Sequence, residues 1–142
     1  MIPIVQMKNE IIFHSVKFWL DQNIVHCSFN DKVDNRFLDF EIENIFVEAI
    51  SAFTIGNCKP ILIDLTKVSD LKAYNIYKYI SNNTKLKSFV LSKSFLVKSF
   101  NMKLLFKLYS FIDDGVIPIQ ISTDLQTAVQ YSNEKYIEFN AY

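Results

Sequence analysis

The feature that most constrains the fold is the stretch over residues 60–71, PILIDLTKVSDL. Residues 60–65 are apolar apart from Asp64, which is typical of a strand covered by helices on both faces. A polar loop follows, in which Ser69 or Asp70 can cap a helix. A buried strand that feeds a helix through a short loop indicates a parallel α/β sheet. In such sheets, ligands and modifying groups usually lie at the carboxyl ends of the strands.

Strand and helix patterns alternate along the rest of the chain. Two strand-like runs, 11–20 and 24–29, flank a polar turn and predict a β-hairpin. Asp39 and Thr123 are the expected N-caps of the first and last helices. The remaining elements are a helix over 39–56, the strand at 60–65, a helix over 71–81, a strand at 87–91, a helix over 95–112, a strand at 118–122 and a last helix from 123.

These elements predict a single α/β domain over residues 1–142. Their order is strand, strand, helix, strand, helix, strand, helix, strand, helix. Short right-handed connections then give a mixed, mostly parallel five-stranded sheet. The core spans about 11–131, and the aromatic tail over 134–142 is expected to pack back on the domain or pair at an edge of the sheet.

Composition excludes several classes of function. Fifteen basic residues balance fifteen acidic ones without a basic block, so a nucleic-acid partner is not expected. No apolar run is long enough to span a membrane, and we expect a cytoplasmic protein. The two glycines, Gly56 and Gly115, are too few and too far apart for a dinucleotide-binding or P-loop turn. Cys27 and Cys58 have no metal-site spacing, and we expect neither metal nor cofactor.

The helix over 95–112 is apolar around most of its circumference, whereas a helix that covers a sheet needs only one apolar stripe. The surplus must be covered by another part of the chain, by a partner protein or second copy, or by an apolar small molecule. All three alternatives remain open at this point. The candidate interaction surface consists of Ser92, Ser94, Lys98, Phe100, Lys103, Phe106 and Lys107.

Four segments of the chain resemble the STAS domains of the anti-sigma-factor antagonist superfamily, and more closely the bacterial STAS/SEC14-like domains of unassigned function. They are KFWL at 17–20, PILIDL with TKVSDLKA at 60–73, FVLSKS at 89–94 and IPIQISTD at 117–124. The resemblance covers about residues 11–131 and implies a SpoIIAA-like fold. Phosphorylation-regulated members carry a serine followed by glycine after the central strand. This chain has VSDLKA there, with Ser69 and no glycine.

The resemblance therefore implies a regulatory protein-interaction module, with Ser69, Thr66 and Asp70 at the edge where a phospho-acceptor would lie. The alternative interpretation of Ser69 is a plain helix N-cap. No nucleophile, base and orienting group fall together in the expected arrangement, so we do not expect an enzyme. A second hypothesis is a carrier or sensor of an apolar small molecule bound beside helix 95–112.

Overall fold

The computed structural model describes residues 5–7, 10–55, 57–110 and 117–140. Seven strands and five α-helices alternate along the chain, and a π-helical turn at Phe37–Glu41 leads into the first helix. The strands are β1 Val5–Met7, β2 Glu10–Ile12, β3 Val16–Asp21, β4 Ile24–Phe29, β5 Lys59–Asp64, β6 Val90–Leu96 and β7 Ile119–Ser122. The helices are α1 Ile42–Phe53, α2 Asp70–Asn82, α3 Thr84–Lys87, α4 Phe100–Ser110 and α5 Leu125–Asn140.

The strands form one mixed sheet in chain order, from β1 to β7. Strands β1 to β4 pair antiparallel, and β4 to β7 pair parallel. The predicted α/β class is confirmed, but the sheet has two more strands than the five expected. One of them arises because the run 11–20 is not continuous: the chain turns between β2 and β3, where Phe13 N–H donates to the Val16 carbonyl at 2.8 Å.

The hairpin between β3 and β4 has a two-residue turn. Gln22 and Asn23 both adopt positive φ, at 51° and 68°, as a type I′ turn requires. In the resulting register Trp19 lies opposite His26, and Phe18 lies opposite Cys27.

The two faces of the sheet are covered unequally. The connections from β4 to β5, β5 to β6 and β6 to β7 all advance one strand in the same direction. Right-handed crossovers therefore place α1, α2 and α4 on one face, where Ile76 shares a core with Ile63. Among the helices that the structure describes, α5 is the one that packs on the opposite face, where Ala128 contacts a smaller cluster that includes Leu62.

An aromatic cluster forms the centre of the larger core. The Tyr77 ring lies 4.4 Å from Phe106, 4.7 Å from Phe95 and 5.8 Å from Tyr109, measured between centroids. Tyr77 also donates its hydroxyl to the Phe106 carbonyl at 3.2 Å. These contacts fix α2 and α4 against each other and against β6.

Helix α4 begins later than the sequence predicted. The strand expected at 87–91 continues to Leu96, and the helix begins at Phe100 instead of residue 95, with the Ser99 hydroxyl accepting from Met102 N–H at 3.2 Å. Ser92 and Ser94 therefore belong to a strand and not to a helix start. The end predicted for this helix, at 111–112, lies outside the described residues, as does the predicted end of the first helix at Gly56.

Two predicted N-caps are also shifted. Asp34, rather than Asp39, accepts from Phe37 N–H at 2.8 Å at the beginning of the first helical segment. Asp124, rather than Thr123, accepts from the Thr127 N–H at 3.0 Å. The segment from residue 134, predicted as an aromatic tail, is part of a helix, because α5 continues to Asn140. Residues 141–142 are not among those described.

Candidate functional site

The loops after β4, β5 and β6 meet at one edge of the sheet, because the carboxyl ends of parallel strands point the same way. Asp31, in the loop after β4, joins this loop to the start of α2. Its carboxylate accepts from Ser69 N–H at 3.2 Å, and its carbonyl accepts from Lys72 Nζ at 2.6 Å. The sequence-predicted edge around Ser69 is therefore assembled from two loops that are 38 residues apart.

Ser69 is the N-cap of α2. Its backbone is extended, with φ −64° and ψ 160°, and its hydroxyl accepts from Lys72 N–H at 3.3 Å. This geometry satisfies one of the amide groups left without a partner at a helix start. The interpretation of Ser69 as a cap is confirmed.

The neighbouring polar residues hold the same loop. Asp64, at the end of β5, accepts from the N–H of Thr66 at 2.8 Å and from its hydroxyl at 2.6 Å. Asp70 lies 4.0 Å from Lys98, which links the start of α2 to the loop before α4. Both partners of this ion pair are largely exposed, so it contributes at most about 1 kcal/mol.

Three residues of the predicted interaction surface are buried. Ser92 and Ser94 are fully buried in the middle of β6, and Ser94 is on the face covered by α5, where its hydroxyl lies 3.2 Å from that of Ser132. Phe106 is fully buried in the aromatic cluster. Placing these three residues on the surface was wrong, because β6 extends further than predicted and because Phe106 is on the inner side of α4.

The outer side of α4 is apolar and exposed. We name Phe100, Leu104, Leu105 and Leu108 the α4 stripe; their exposed fractions are 64%, 45%, 44% and 66%. Phe100, Leu104 and Leu108 follow the i, i+4, i+8 spacing of one helix face, with Leu105 beside them, and the buried Met102 and Phe106 are on the other side of the helix. The surplus apolar surface predicted for this helix is therefore real, and α4 has two apolar faces.

The α4 stripe lies near the Ser69 edge. The Asp70–Lys98 ion pair brings the first turn of α2 close to the loop from which α4 starts. The next residue of α2, Leu71, is 71% exposed, and Phe100 is the first residue of α4. The two halves of the sequence-predicted surface thus adjoin each other at the carboxyl edge of the sheet.

The space between α2, α4 and the sheet is filled. Tyr74 contacts Tyr109 at 5.9 Å and Phe106 at 6.4 Å, which extends the aromatic cluster to the ends of both helices. A ligand buried between these elements would have to displace these rings. Beside α4, an apolar small molecule would therefore have to bind on the outer surface of the helix.

A second polar region lies on β3 and β4, where the sheet extends past α5. Trp19 stacks on His26, with centroids 5.0 Å apart, and Lys17 Nζ lies 5.2 Å from the Trp19 ring. Burial lowers the pKa of His26, while the nearby Asp21 and Asp64 act in the opposite direction. The alternation of Lys17 and Trp19 along β3 was the signal in the sequence that could have indicated this half-exposed face.

Comparison with known proteins gives a family and a fold. The family model described as "Domain of unknown function (DUF7793)" matches residues 18–135. The solved structure of an uncharacterized protein from the DUF3478 family with a SpoIIAA-like fold, from Shewanella loihica PV-4, is similar with a TM-score of 0.53. The likeness covers 90% of this chain and 99% of that chain at 14% sequence identity, so it shows the fold alone.

The STAS-like fold predicted from the sequence is confirmed by this likeness. None of the curated proteins matches the chain. Among the described residues, no helix is long and apolar enough to cross a membrane.

Proposed function

The chain belongs to the DUF7793 family, whose function is unknown, and we propose that it is a non-enzymatic regulatory module that binds a partner protein. The contact surface is the α4 stripe together with the adjoining edge at Ser69. The SpoIIAA-like fold supports a regulatory role at the level of the fold. The α4 stripe is the observation that carries the proposal.

Four large apolar side chains on one face of a helix are costly to leave in water. Burying a leucine or phenylalanine fully is worth about 1.5–3 kcal/mol. Anchors at i, i+4 and i+8 are the spacing by which a helix packs into a groove or against a second helix. The stripe also has charged neighbours, Lys103 and Lys107, that would surround an apolar contact with a polar rim.

The Ser69 edge adds a place for regulation. A phosphoryl group on Ser69 would sit at the N-terminus of α2, where the helix dipole and free amide groups favour an anion. It would also replace the hydroxyl cap and repel the carboxylates of Asp31 and Asp70, which lie beside it. Phosphorylation would therefore change the loop that adjoins the α4 stripe.

A non-enzymatic role is supported by how the polar groups at this edge are used. The Ser69 hydroxyl caps α2, and the Asp64 carboxylate holds the loop at Thr66. These groups already stabilise the backbone that presents the surface.

The test is a pair of charge substitutions on the stripe, Leu104→Glu with Leu108→Glu. The matched control is Ile137→Glu, which changes an exposed apolar residue of α5. Tagged proteins are expressed in the organism of origin, and bound proteins are identified by mass spectrometry. Light scattering after size exclusion gives the oligomeric state. All variants should keep the wild-type circular dichroism spectrum, because the substituted side chains are exposed.

We expect one protein, or a second copy of the chain, to bind the wild type and the Ile137→Glu variant and to be lost from the stripe variant. Binding that survives both stripe substitutions contradicts the proposal. So does a wild-type protein that is monomeric and captures nothing. If native mass spectrometry instead shows a small apolar molecule that the stripe substitutions remove, the carrier hypothesis replaces the proposal.

A further inference from the structure

Strand β7 is the last strand of the sheet, and no residue that the structure describes pairs with its outer side. It pairs with β6 alone, and the pairing puts alternate residues toward β6: Lys93 N–H donates to the Pro118 carbonyl and Val97 N–H to the Ser122 carbonyl, both at 2.9 Å. The intervening residues Ile119 and Ile121 therefore direct their N–H and C=O groups away from the sheet. Within the described ranges, nothing hydrogen-bonds to these outward groups.

A groove runs along this open edge. Helix α4 lies on one side of β7 and α5 on the other, and the depression between them has a volume of about 450 Å³. Lys103 and Lys107 line it from α4, and Thr127 lines it from α5. The floor is the whole of β7, so a chain lying in the groove would lie beside the unpaired backbone groups.

One side chain in the groove points to a missing partner. The Oε1 atom of Gln120 is buried and, within the part of the chain that the structure describes, accepts no hydrogen bond. Buried acceptors in native proteins almost always have a donor, and one left unpaired usually marks an absent water, ion or ligand. The strand that forms the floor of the groove therefore carries one polar side chain whose hydrogen-bonding capacity is not used within the described residues.

We propose that the β7 edge binds an extended, acidic peptide segment of a partner protein by β-strand addition. The outward groups of Ile119 and Ile121 supply backbone hydrogen bonds, and Lys103 and Lys107 supply the charge that selects acidic side chains. The inference deepens the proposed interaction role and rests on it, since it gives the chemistry of one partner segment. The groove and the α4 stripe adjoin along Lys103 and Lys107, but the backbone of β7 belongs only to the groove and the side chains of Leu104 and Leu108 only to the stripe, so the two contacts can be tested separately.

Charge also argues against a second copy as the occupant. Pairing two β7 strands across a two-fold axis would bring Lys103 and Lys107 of both copies to the same seam. Like charges at an edge are a common device by which proteins prevent edge-to-edge self-association. The same lysines attract an acidic strand.

The test uses an acetylated and amidated hexapeptide that alternates glutamate and threonine, with a lysine–threonine peptide as its charge-reversed control. Amide hydrogen exchange, followed by NMR on the full chain, reads out each residue of β7. In the free protein we expect Ile119 and Ile121 to exchange at least about tenfold faster than Gln120, which is paired with β6. The acidic peptide should slow both outward amides at least tenfold, and the basic peptide should not.

Variants then separate the contribution of backbone hydrogen bonds to peptide binding from the contribution of charge. Lys103→Glu with Lys107→Glu should weaken peptide binding by about tenfold, the scale of two exposed charge pairs, whereas Lys32→Glu on a distant loop should not. Ile119→Pro removes one outward N–H and should also weaken binding, whereas Ile119→Val should preserve it. The neutral stripe variant Leu104→Ser with Leu108→Ser removes apolar surface without adding charge beside Lys103 and Lys107. It should bind the peptide normally, even if the proposed partner contact at the stripe fails.

Two outcomes would overturn the proposal. One is equal binding of the acidic and basic peptides. The other is that neither peptide, at concentrations up to millimolar, changes the hydrogen-exchange rates of the outward amides of Ile119 and Ile121.

Discussion

At the scale of single residues, His26 has the most informative surroundings. It is 7% exposed and lies under the ring of Trp19, at the boundary between the part of the sheet covered by α5 and the open part. Because burial lowers its pKa, the folded protein favours the neutral imidazole. The unfolded chain, with a histidine pKa of about 6.5, binds the proton more readily.

We predict that acidification destabilises the protein through this histidine. The stabilisation that comes from neutral His26 is present above about pH 6.5 and is lost as the pH falls through the lower, folded-state pKa. Trp19 is the single tryptophan of the chain, and a protonated imidazole stacked on an indole quenches its fluorescence. The fluorescence of the folded protein should therefore fall on acidification, with a midpoint below 6.5.

The substitution His26→Gln should abolish this titration. It should also reduce the loss of stability between about pH 7.5 and about pH 5.5, the two pH values that bracket the pKa of free histidine. His14→Gln is the matched control, because His14 is exposed in the turn between β2 and β3. A fluorescence midpoint at or above the pKa of free histidine would show that burial does not control His26.

At the scale of the element, the start of α2 tests whether Ser69 does more than cap a helix. Ser69→Ala should lower the free energy of unfolding by about 1 kcal/mol, within the usual range of about 0.5–2. Ser69→Asp should restore most of it, because a carboxylate also accepts from the N–H of Lys72 and favours the helix dipole. Urea denaturation measures both changes.

Partner binding separates the two roles of Ser69. If the residue is only a cap, Ser69→Ala and Ser69→Asp should bind the partner of the α4 stripe equally well. A loss of binding in Ser69→Asp, despite restored stability, would indicate that a negative charge at this position regulates the contact. A stability loss below about 0.3 kcal/mol in Ser69→Ala would contradict the capping interpretation itself.

Element boundaries show what the sequence could and could not predict. The cap at Ser69 and the strand at 60–65 were predictable, because a cap residue between an apolar run and a helical pattern is a local signal. The boundary between β6 and α4 was not, because the apolar residues from 89 to 108 fit both a strand and a helix. Only the sheet, by hydrogen-bonding β6 to β5 and β7, decides that Phe95 is in a strand.

Misplacing that boundary also misplaced part of the site. Ser94 faces α5, where its hydroxyl meets that of Ser132, and Ser92 is fully buried two residues earlier in the same strand. Burial of both is expected once the segment is assigned as a central strand of the sheet. Thr66, Ser69 and Asp70 were predicted to lie together because they follow the central strand, whereas Lys98 was predicted inside the helix over 95–112 and lies instead in the loop before α4, 4.0 Å from Asp70. The groove at β7 was missed, because an edge strand is defined by the absence of a neighbour, which no local pattern indicates.

At the scale of the whole molecule, the unequal covering of the sheet governs stability. Helices α1, α2 and α4 share the burial of one face, whereas α5 alone covers β4 to β7 on the other. The buried apolar cluster beneath α5 is small and centres on Ala128, which packs with Ile24, Leu62 and Leu96. The second face of the fold therefore depends on a single helix whose outer side is largely polar or exposed.

We predict that one charge under α5 destabilises the whole domain. Ala128 is fully buried, so Ala128→Glu places a carboxylate without a partner between the helix and the sheet, and should lower the free energy of unfolding by at least about 3 kcal/mol. Gln126→Glu is the matched control, because it adds the same side chain on the exposed side of α5 and should change stability by less than about 0.5 kcal/mol. Circular dichroism and size exclusion in urea measure both variants.

Since detachment of α5 would expose Leu62 and Leu96, the Ala128→Glu variant should also aggregate more readily. Equal stability of the two variants would show that α5 is dispensable and that the opposite core alone holds the sheet together.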